Sequence, residues 1–369
     1  MKIGVPTEIK PQEHRVAVTP SSVSILTKRG HEVIVQQGAG TGSSYTDEEY
    51  LAAGARIAPD AESVFGDAEL IVKVKEPQPQ EIALLTENHT LFTYLHLAAS
   101  KPLTEGLLAS GCKAIAYETV ERNGRLPLLE PMSEIAGRMS TIVGSYHLAK
   151  HRGGRGILLG GIPGVAPGRV AVIGGGTAGL NAARVAAGVG ADVTILDIDF
   201  ERMRFIDITM SGTSTLYSSE ANLSEILPRI DLVIGAVLLP GAAAPKLITR
   251  EMLRLLQPGS VLVDIAVDQG GCSETTRPTT HDDPTYFEED ILHYCVANMP
   301  GAYSRTSTQA LNNVTQSYLI QLATLGVEDA LRQDAALMKG LSTYRGKLTS
   351  APVGQAHGIA TITPTEALA

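Results

Sequence analysis

The chain has 369 residues, 44% of them hydrophobic, and a formal net charge of −9. That length suits about two domains, and the apolar content is ample for packed cores, which excludes a disordered chain. The acidic balance argues against nucleic acid as a main partner, while local lysines and arginines could still hold a small anion.

Strand and helix patterns alternate through the first third. "KIGVPTEI" reads as a strand. "TPSSVSILTKRG" reads as a helix with Thr19 as cap, Pro20 in the first turn and Gly30 past the end. "HEVIVQQ" (strand), "TDEEYLAAG" (helix) and "AELIVKVKEP" (strand) follow, then "QEIALLTEN" (helix), "TLFTYLHLA" (strand), "PLTEGLLASG" (helix) and "CKAIAYETV" (strand). Such alternation implies parallel sheets with helices on both faces. A longer helical pattern starts near Ser133 in "SEIAGRMSTIVGSYHLAKH". The Gly/Pro-rich "GILLGGIPGVAPG" leads into "RVAVIGGGTAGLNAARVAAGVGADVTILDID", a complete β-α-β segment. Strands are expected at "DLVIGAV" and "SVLVDIAV", and helices from Thr306 to about Leu341.

The expected fold is therefore α/β, with two Rossmann-like domains built on parallel sheets. A nucleotide-binding domain, 131–304, is inserted in a discontinuous catalytic domain made of 1–130 and 305–369. Three cysteines, Cys112, Cys272 and Cys295, have neither metal nor redox spacing, which fits a reducing compartment. No secretory h-region precedes "MKIGVPTEI", and no run of about 20 apolar residues could span a bilayer. A soluble cytoplasmic protein with no membrane partner is expected.

"GGGTAG" places Gly174, Gly176 and Gly179 in G-x-G-x-x-G spacing between a strand and a helix. The first glycine permits the tight turn, the second lets backbone approach a pyrophosphate, and the third lets helix and strand pack closely. The helix N-terminus then supports phosphates through its free N–H groups and dipole. Asp197 ends the next strand, where a carboxylate bonds ribose hydroxyls and repels a 2′-phosphate. NAD is favoured over NADP, with Arg202 nearby as a group that could soften the preference.

Ligands of open parallel sheets bind beyond the carboxyl ends of the strands. Arg15 lies in the loop after the first strand, Lys75 ends "LIVKVKE", His96 ends "TLFTYLH" and Asp268 ends "VLVDIAVD". Each has a plainer reading. Arg15 could be a surface arginine, His96 is one of nine histidines, and Asp268 could close a turn. Lys73 competes with Lys75, and Asp264 with Asp268. Lys75 is preferred for its nearness to the strand end. Together, two cations can orient a substrate carboxylate and an imidazole can exchange a proton near neutral pH, while nicotinamide exchanges hydride at the α-carbon. That chemistry describes a 2-hydroxy-acid or 2-amino-acid dehydrogenase, and lysine with aspartate tilts it toward the amino acid.

Residues in this pattern run nearly the whole length: "GVPTEIKPQEHRVAVTP", "KVKEP", "YLHLAAS", "AYETV", "PMSEIAGR", "VIGGGTAGLNAARVA", "DLVIGAVLLPGAAAPKL", "VDIAVDQGGC", "RPTTHDDPTY", "VANMPGA" and "ALNNVT". In them the chain resembles the alanine dehydrogenase family. The resemblance implies reversible conversion of L-alanine, NAD and water to pyruvate, ammonium and NADH, in a homohexamer. It makes Arg15 and Lys75 the substrate-binding pair, and His96 and Asp268 the catalytic residues. It puts cofactor contacts at Ser133, Thr177, Ala178, Asp197, Arg202, Ser218, Leu238, Leu239, Ile265, Ala266, Val267, Asp268, Arg277, Val296, Ala297, Asn298 and Met299. "SYLIQLATLGVE" has Gln321 and Leu325 where some members place a metal-binding Glu and His, so no metal is expected. "FERMRFIDITMSGTSTLYSS" is divergent, which weakens Ser218. The alternatives are the NAD-binding α subunit of a proton-translocating transhydrogenase, a lysine- or saccharopine-type dehydrogenase, and a substrate sensor without activity.

Overall fold

A computed structural model describes residues 1–237 and 244–369. The chain forms two compact units. One combines Met1–Met132 with Gly301–Ala369, and the other is Ser133–Pro300. Each is built on its own sheet.

The first unit holds β1 (Lys2–Val5), β2 (Glu32–Gln36), β3 (Arg56–Ala58), β4 (Leu70–Val72), β5 (Thr90–Thr93) and β6 (Lys113–Ala116). These six are parallel, and β14 (Leu341–Tyr344) and β15 (Lys347–Leu348) add an antiparallel edge. The order is β15-β14-β6-β5-β4-β1-β2-β3. From β1 the chain winds outward first on one side, then returns to β4 on the other. The gap between β1 and β4 is thus the switch point, where adjacent loops part and leave a crevice. Helix caps set the intervening helices. Thr19 Oγ1 accepts from Ser22 N with Pro20 in the first turn, and Ser100 caps Lys101–Ser110, which ends at Gly111 with φ +73°.

The second unit holds β7 (Arg169–Ile173), β8 (Asp192–Asp197), β9 (Thr213–Tyr217), β10 (Leu232–Gly235), β11 (Val261–Asp264), β12 (Thr285–Glu288) and β13 (Ile291–Tyr294). Their order is β12-β13-β11-β10-β7-β8-β9, with only β12 antiparallel. Alternate residues of the central strands feed two separate cores. Val170, Val172, Ile234 and Val263 pack in one, and Ala171, Ile173, Val233 and Leu262 in the other. Side chains alternate across a strand, so both faces of this sheet are covered, as continuous apolar runs such as "VLV" require.

The structure corrects several sequence readings. The strand expected through Lys75 ends at Val72. Val74 N donates to the Glu8 carboxylate at 2.6 Å, so a side chain replaces a neighbouring strand there. The strand expected to reach His96 ends at Thr93, because Glu118 draws Leu95 N and His96 N out of the ladder. The strand expected to end at Asp268 ends at Asp264, and Asp268 sits in the 3₁₀ turn Ile265–Gln269. "QEIALLTEN" gives only the helical turn Pro79–Ile82, and the long helix begins at Glu130 rather than near Ser133. The antiparallel edge strands β12, β14 and β15 were not expected.

Candidate active site

In the first unit, Arg15, Lys75 and His96 lie on the loops that follow β1, β4 and β5. These are consecutive neighbours in the sheet and flank its switch point. Arg15 is buried. Its Nε and Nη2 donate to Glu13 Oε1 and Oε2, each at 2.6 Å, and Nη1 reaches Met132 Sδ at 3.0 Å. Burial alone would lower the Arg15 pKa, but the Glu13 carboxylate overrides it and holds the guanidinium above its ordinary value. Arg15 and Glu13 line a cavity of about 290 Å³ with Thr7, Glu8, Lys10 and His14.

The two lysines separate clearly. Lys73 is enclosed, with Nζ 3.0 Å from Glu8 and 2.7 Å from Glu81. Burial would lower its pKa, but the two carboxylates raise it. It is the cation of a buried ion triad. Lys75 is also buried, but beside Glu76, whose carboxyl it and Lys10 hold below its ordinary value against the effect of burial.

His96 is exposed and adopts a left-handed backbone, φ +49° and ψ +40°. Its neighbours Leu95 and Leu97 are buried, so the imidazole projects from this turn between two anchored side chains. The ring stacks on Tyr94 with centroids 5.9 Å apart and planes 9° apart.

In the second unit, the glycine loop joins β7 to the helix Thr177–Gly188 beside the switch point between β7 and β10. Gly174 has φ +99°, and a Cβ there would stand 2.8 Å from Ala236 O. A Cβ on Gly179 would stand 1.8 Å from Gly174 O, so only glycine lets this helix approach the turn. A Cβ on Gly176 would meet nothing within 4 Å, and no side chain caps the helix. Open space in front of uncapped N–H groups fits the pyrophosphate of a dinucleotide. Thr177 and Ala178 form the first turn. Gly137 allows the helix Glu130–His147 to touch that turn, since a Cβ there would lie 2.1 Å from Ala178 O; Ser133 is one turn earlier on the same helix.

Asp197 ends β8, and its Oδ2 accepts from Gly175 N at 2.6 Å. Arg202 Nη1 donates to Gly175 O at 3.2 Å, so it is tied to the loop. Ser218 follows β9 and donates its N–H to Asp197 O. Ile265, Ala266, Val267 and Asp268 follow β11, with Asp268 exposed. Val296, Ala297, Asn298 and Met299 follow β13, and Asn298 has φ +65°. All these positions share the carboxyl edge of one parallel sheet. Arg277 lies two residues before Thr279, which bridges Val296, and its guanidinium stands 3.9 Å from the centre of the Tyr286 ring. Leu238 and Leu239 lie outside the described residues.

Two family models match this chain. Residues 4–136 match "Alanine dehydrogenase/PNT, N-terminal domain", and residues 140–351 match the C-terminal domain of the same family. The chain belongs to the alanine dehydrogenase family. It is 57% identical to an alanine dehydrogenase of Mycolicibacterium smegmatis over 96% of both chains. A solved L-alanine dehydrogenase superposes with a TM-score of 0.93 at 49% identity, over 97% of this chain and 99% of that one. A transhydrogenase from Sinorhizobium meliloti gives a TM-score of 0.80 at 24% identity, over 95% and 99%, and shows a shared fold. This family membership makes the protein an amino-acid dehydrogenase that uses a nicotinamide cofactor.

Three supporting residues escaped the sequence reading. Glu13, Glu118 and Tyr94 all lie inside the quoted family segments. Only Glu13 carried a local signal, since residues two apart in extended chain share a side and an acid there can meet Arg15. Glu118 is 22 residues from His96 and is brought to it only by the pairing of β5 with β6. At the alternative metal position, Gln321 Nε2 donates to Ala330 O. Among the described residues, no three His, Cys, Asp or Glu side chains are grouped to hold a metal ion, and no helix is long and apolar enough to cross a membrane.

Proposed function

We propose that this protein is an NAD-dependent L-alanine dehydrogenase. It would convert L-alanine, NAD⁺ and water to pyruvate, ammonium, NADH and a proton, in either direction. The observation that carries the reading is the placement of Arg15, Lys75 and His96 on three loops around one switch point, in a chain of this family.

In this reading the first unit binds substrate and the second binds cofactor. The nicotinamide, when bound, supplies the acceptor for the substrate α-hydrogen as hydride. Arg15 and Lys75 hold and orient the substrate carboxylate, which fixes the α-carbon for transfer. The buried Glu8–Lys73–Glu81 triad supports Lys75 over Lys73, because two carboxylates already neutralise the Lys73 ammonium. His96 takes a proton from water as it adds to the imine carbon and returns it to the departing amine. Asp268 accepts hydrogen bonds from the substrate nitrogen.

Cofactor contacts are assigned to Ser133, the glycine loop, Asp197, Arg202, Ser218, residues 265–268, Arg277 and residues 296–299, with Leu238 and Leu239. Asp197 favours NAD over NADP, since its carboxylate would repel a 2′-phosphate. A cytoplasmic homohexamer completes the proposal.

The test is NADH absorbance with purified protein, NAD and a panel of small L-amino acids, with His96→Ala alongside. A rise with L-alanine that the variant loses supports the reading. No turnover despite measurable NADH binding would return the coupling-subunit or sensor readings. NADP in place of NAD tests the Asp197 assignment, and light scattering tests the hexamer.

A further inference from the structure

We propose that Glu118 is a positioning residue that holds His96 in its left-handed turn; the inference rests on the proton-transfer role proposed for His96. Glu118 lies in the 3₁₀ turn Tyr117–Thr119 directly after β6, the sheet neighbour of β5. Its Oε1 accepts from His96 N at 2.6 Å, and both its oxygens stand 3.2 Å from Leu95 N.

A left-handed backbone is unfavourable for a residue with a side chain, because its Cβ crowds the following carbonyl oxygen. Such conformations persist only where the surroundings over-determine them, and they cluster at functional sites. Here the surroundings can be named. The Glu118 carboxylate receives two successive backbone N–H groups, and hydrogen bonds to an ionised acceptor are stronger than neutral ones. Leu95 and Leu97 are buried on either side, and His357 Nε2 donates to Leu97 O at 2.7 Å. The stacked Tyr94 ring then fixes the plane of the imidazole. Tyr94 is itself held, since its hydroxyl donates to Leu128 O.

Without the Glu118 carboxylate, two N–H groups lose their acceptor, and the bonds to His96 O and Leu97 O with the burial of Leu95 and Leu97 are left to hold the turn alone, so it relaxes toward an ordinary φ. The imidazole then moves off the Tyr94 face. A displacement of about 1 Å in a reacting group can cost on the order of a hundredfold in rate. Arg15 and Lys75 sit on other loops, so substrate binding is left in place.

The test compares Glu118→Gln and Glu118→Ala in the full-length protein, each also in the His96→Ala background. Melting temperature and NADH binding are followed alongside turnover. The glutamine keeps one acceptor oxygen and the side-chain volume, so it decides the matter even where the alanine variant does not fold. We expect kcat to fall about tenfold for Glu118→Gln and about a hundredfold for Glu118→Ala, with the KM for pyruvate and the Kd for NADH within about twofold. In the His96→Ala background neither change should lower the residual rate further, because Glu118 acts through His96. Unchanged kcat in Glu118→Gln beside an inactive His96→Ala would overturn the proposal. So would equal losses in both backgrounds, or a loss confined to pyruvate KM. A fully active His96→Ala would instead overturn the reading of His96 on which the proposal stands.

Discussion

Glu13 grips Arg15 through two parallel bonds, Nε to Oε1 and Nη2 to Oε2, and both side chains are buried. The backbone N–H of Arg15 adds a third bond to Glu13 Oε1 at 3.1 Å. The guanidinium is therefore fixed before any substrate arrives. Lysine has no planar fork and cannot repeat this geometry. Arg15→Lys is expected to raise the KM for pyruvate by about tenfold or more, through loss of bidentate orientation. Glu13→Ala leaves a buried cation without its counter-charge, which costs about 3–5 kcal/mol. Chemical denaturation measures the second effect, and an unchanged midpoint would remove the pair from the account of stability.

Lys73 and Lys75 should separate in opposite ways. Lys73→Met strands Glu8 and Glu81 in a buried site, so it should lower stability by about 3 kcal/mol or more. Lys75→Met should lower catalytic efficiency while moving the melting temperature far less. The Lys73 pKa is raised in the folded state by Glu8 and Glu81 acting against burial. Its contribution is thus fully present below the ordinary lysine value and lost as pH rises through the folded value. Melting temperature against pH should fall on the alkaline side in wild type and fall less steeply in Lys73→Met. Equal slopes would show that Lys73 is not the group responsible.

What the sequence disclosed and what it withheld follow from the range of the interactions. The glycine loop was legible because all its parts are local: a strand, a turn that needs φ +99° at Gly174, a helix start and the next strand end. The carboxyl-edge placement of Arg15, Lys75 and His96 was legible because strand and helix alternation implies which strand ends they follow, although Lys75 and His96 were read as the last residues of strands and lie in loops. The ends of the strands were not. Val74, His96 and Ala266 all leave their strand directions because a carboxylate takes a backbone N–H, and those acids are Glu8, Glu118 and Asp264. Two of the three come from distant sequence, so no local pattern reveals them. The edge strand β14 was missed because its partner, β6, is more than 200 residues earlier in the chain, and β15 pairs only with β14.

Gly176 and Gly179 stand three residues apart but should fail differently. A methyl group on Gly176 meets open space, while one on Gly179 meets Gly174 O at 1.8 Å. Gly176→Ala should therefore fold with a nearly unchanged melting temperature, yet bind NADH at least about tenfold more weakly, because the methyl fills the approach to the pyrophosphate. Gly179→Ala should lose stability as well, because helix and strand must move apart. Dye-free thermal unfolding and NADH fluorescence titration on the same samples distinguish the two. Tight NADH binding by Gly176→Ala would place the pyrophosphate elsewhere.

Asp264 and Asp268 are expected to divide structure from chemistry within one short turn. Asp264 is fully buried, and its carboxylate accepts from Ala266 N at 3.0 Å, Cys272 N at 2.8 Å and Thr276 Oγ1 at 2.6 Å. Gly235 and Gly271 leave the room for it, since a Cβ on either would come within 3 Å of its oxygens. It ties both ends of the turn that carries Asp268, which is exposed. Asp264→Asn turns one oxygen into a donor facing other donors, and should cost about 1–3 kcal/mol of stability. Asp268→Asn removes no such bond among the described residues, so its melting temperature should match wild type while kcat falls by about a hundredfold. Turnover and denaturation of the two variants, measured together, check this division. A destabilised Asp268→Asn with normal kcat would exchange the two roles, giving Asp268 the turn and leaving the substrate nitrogen to another group.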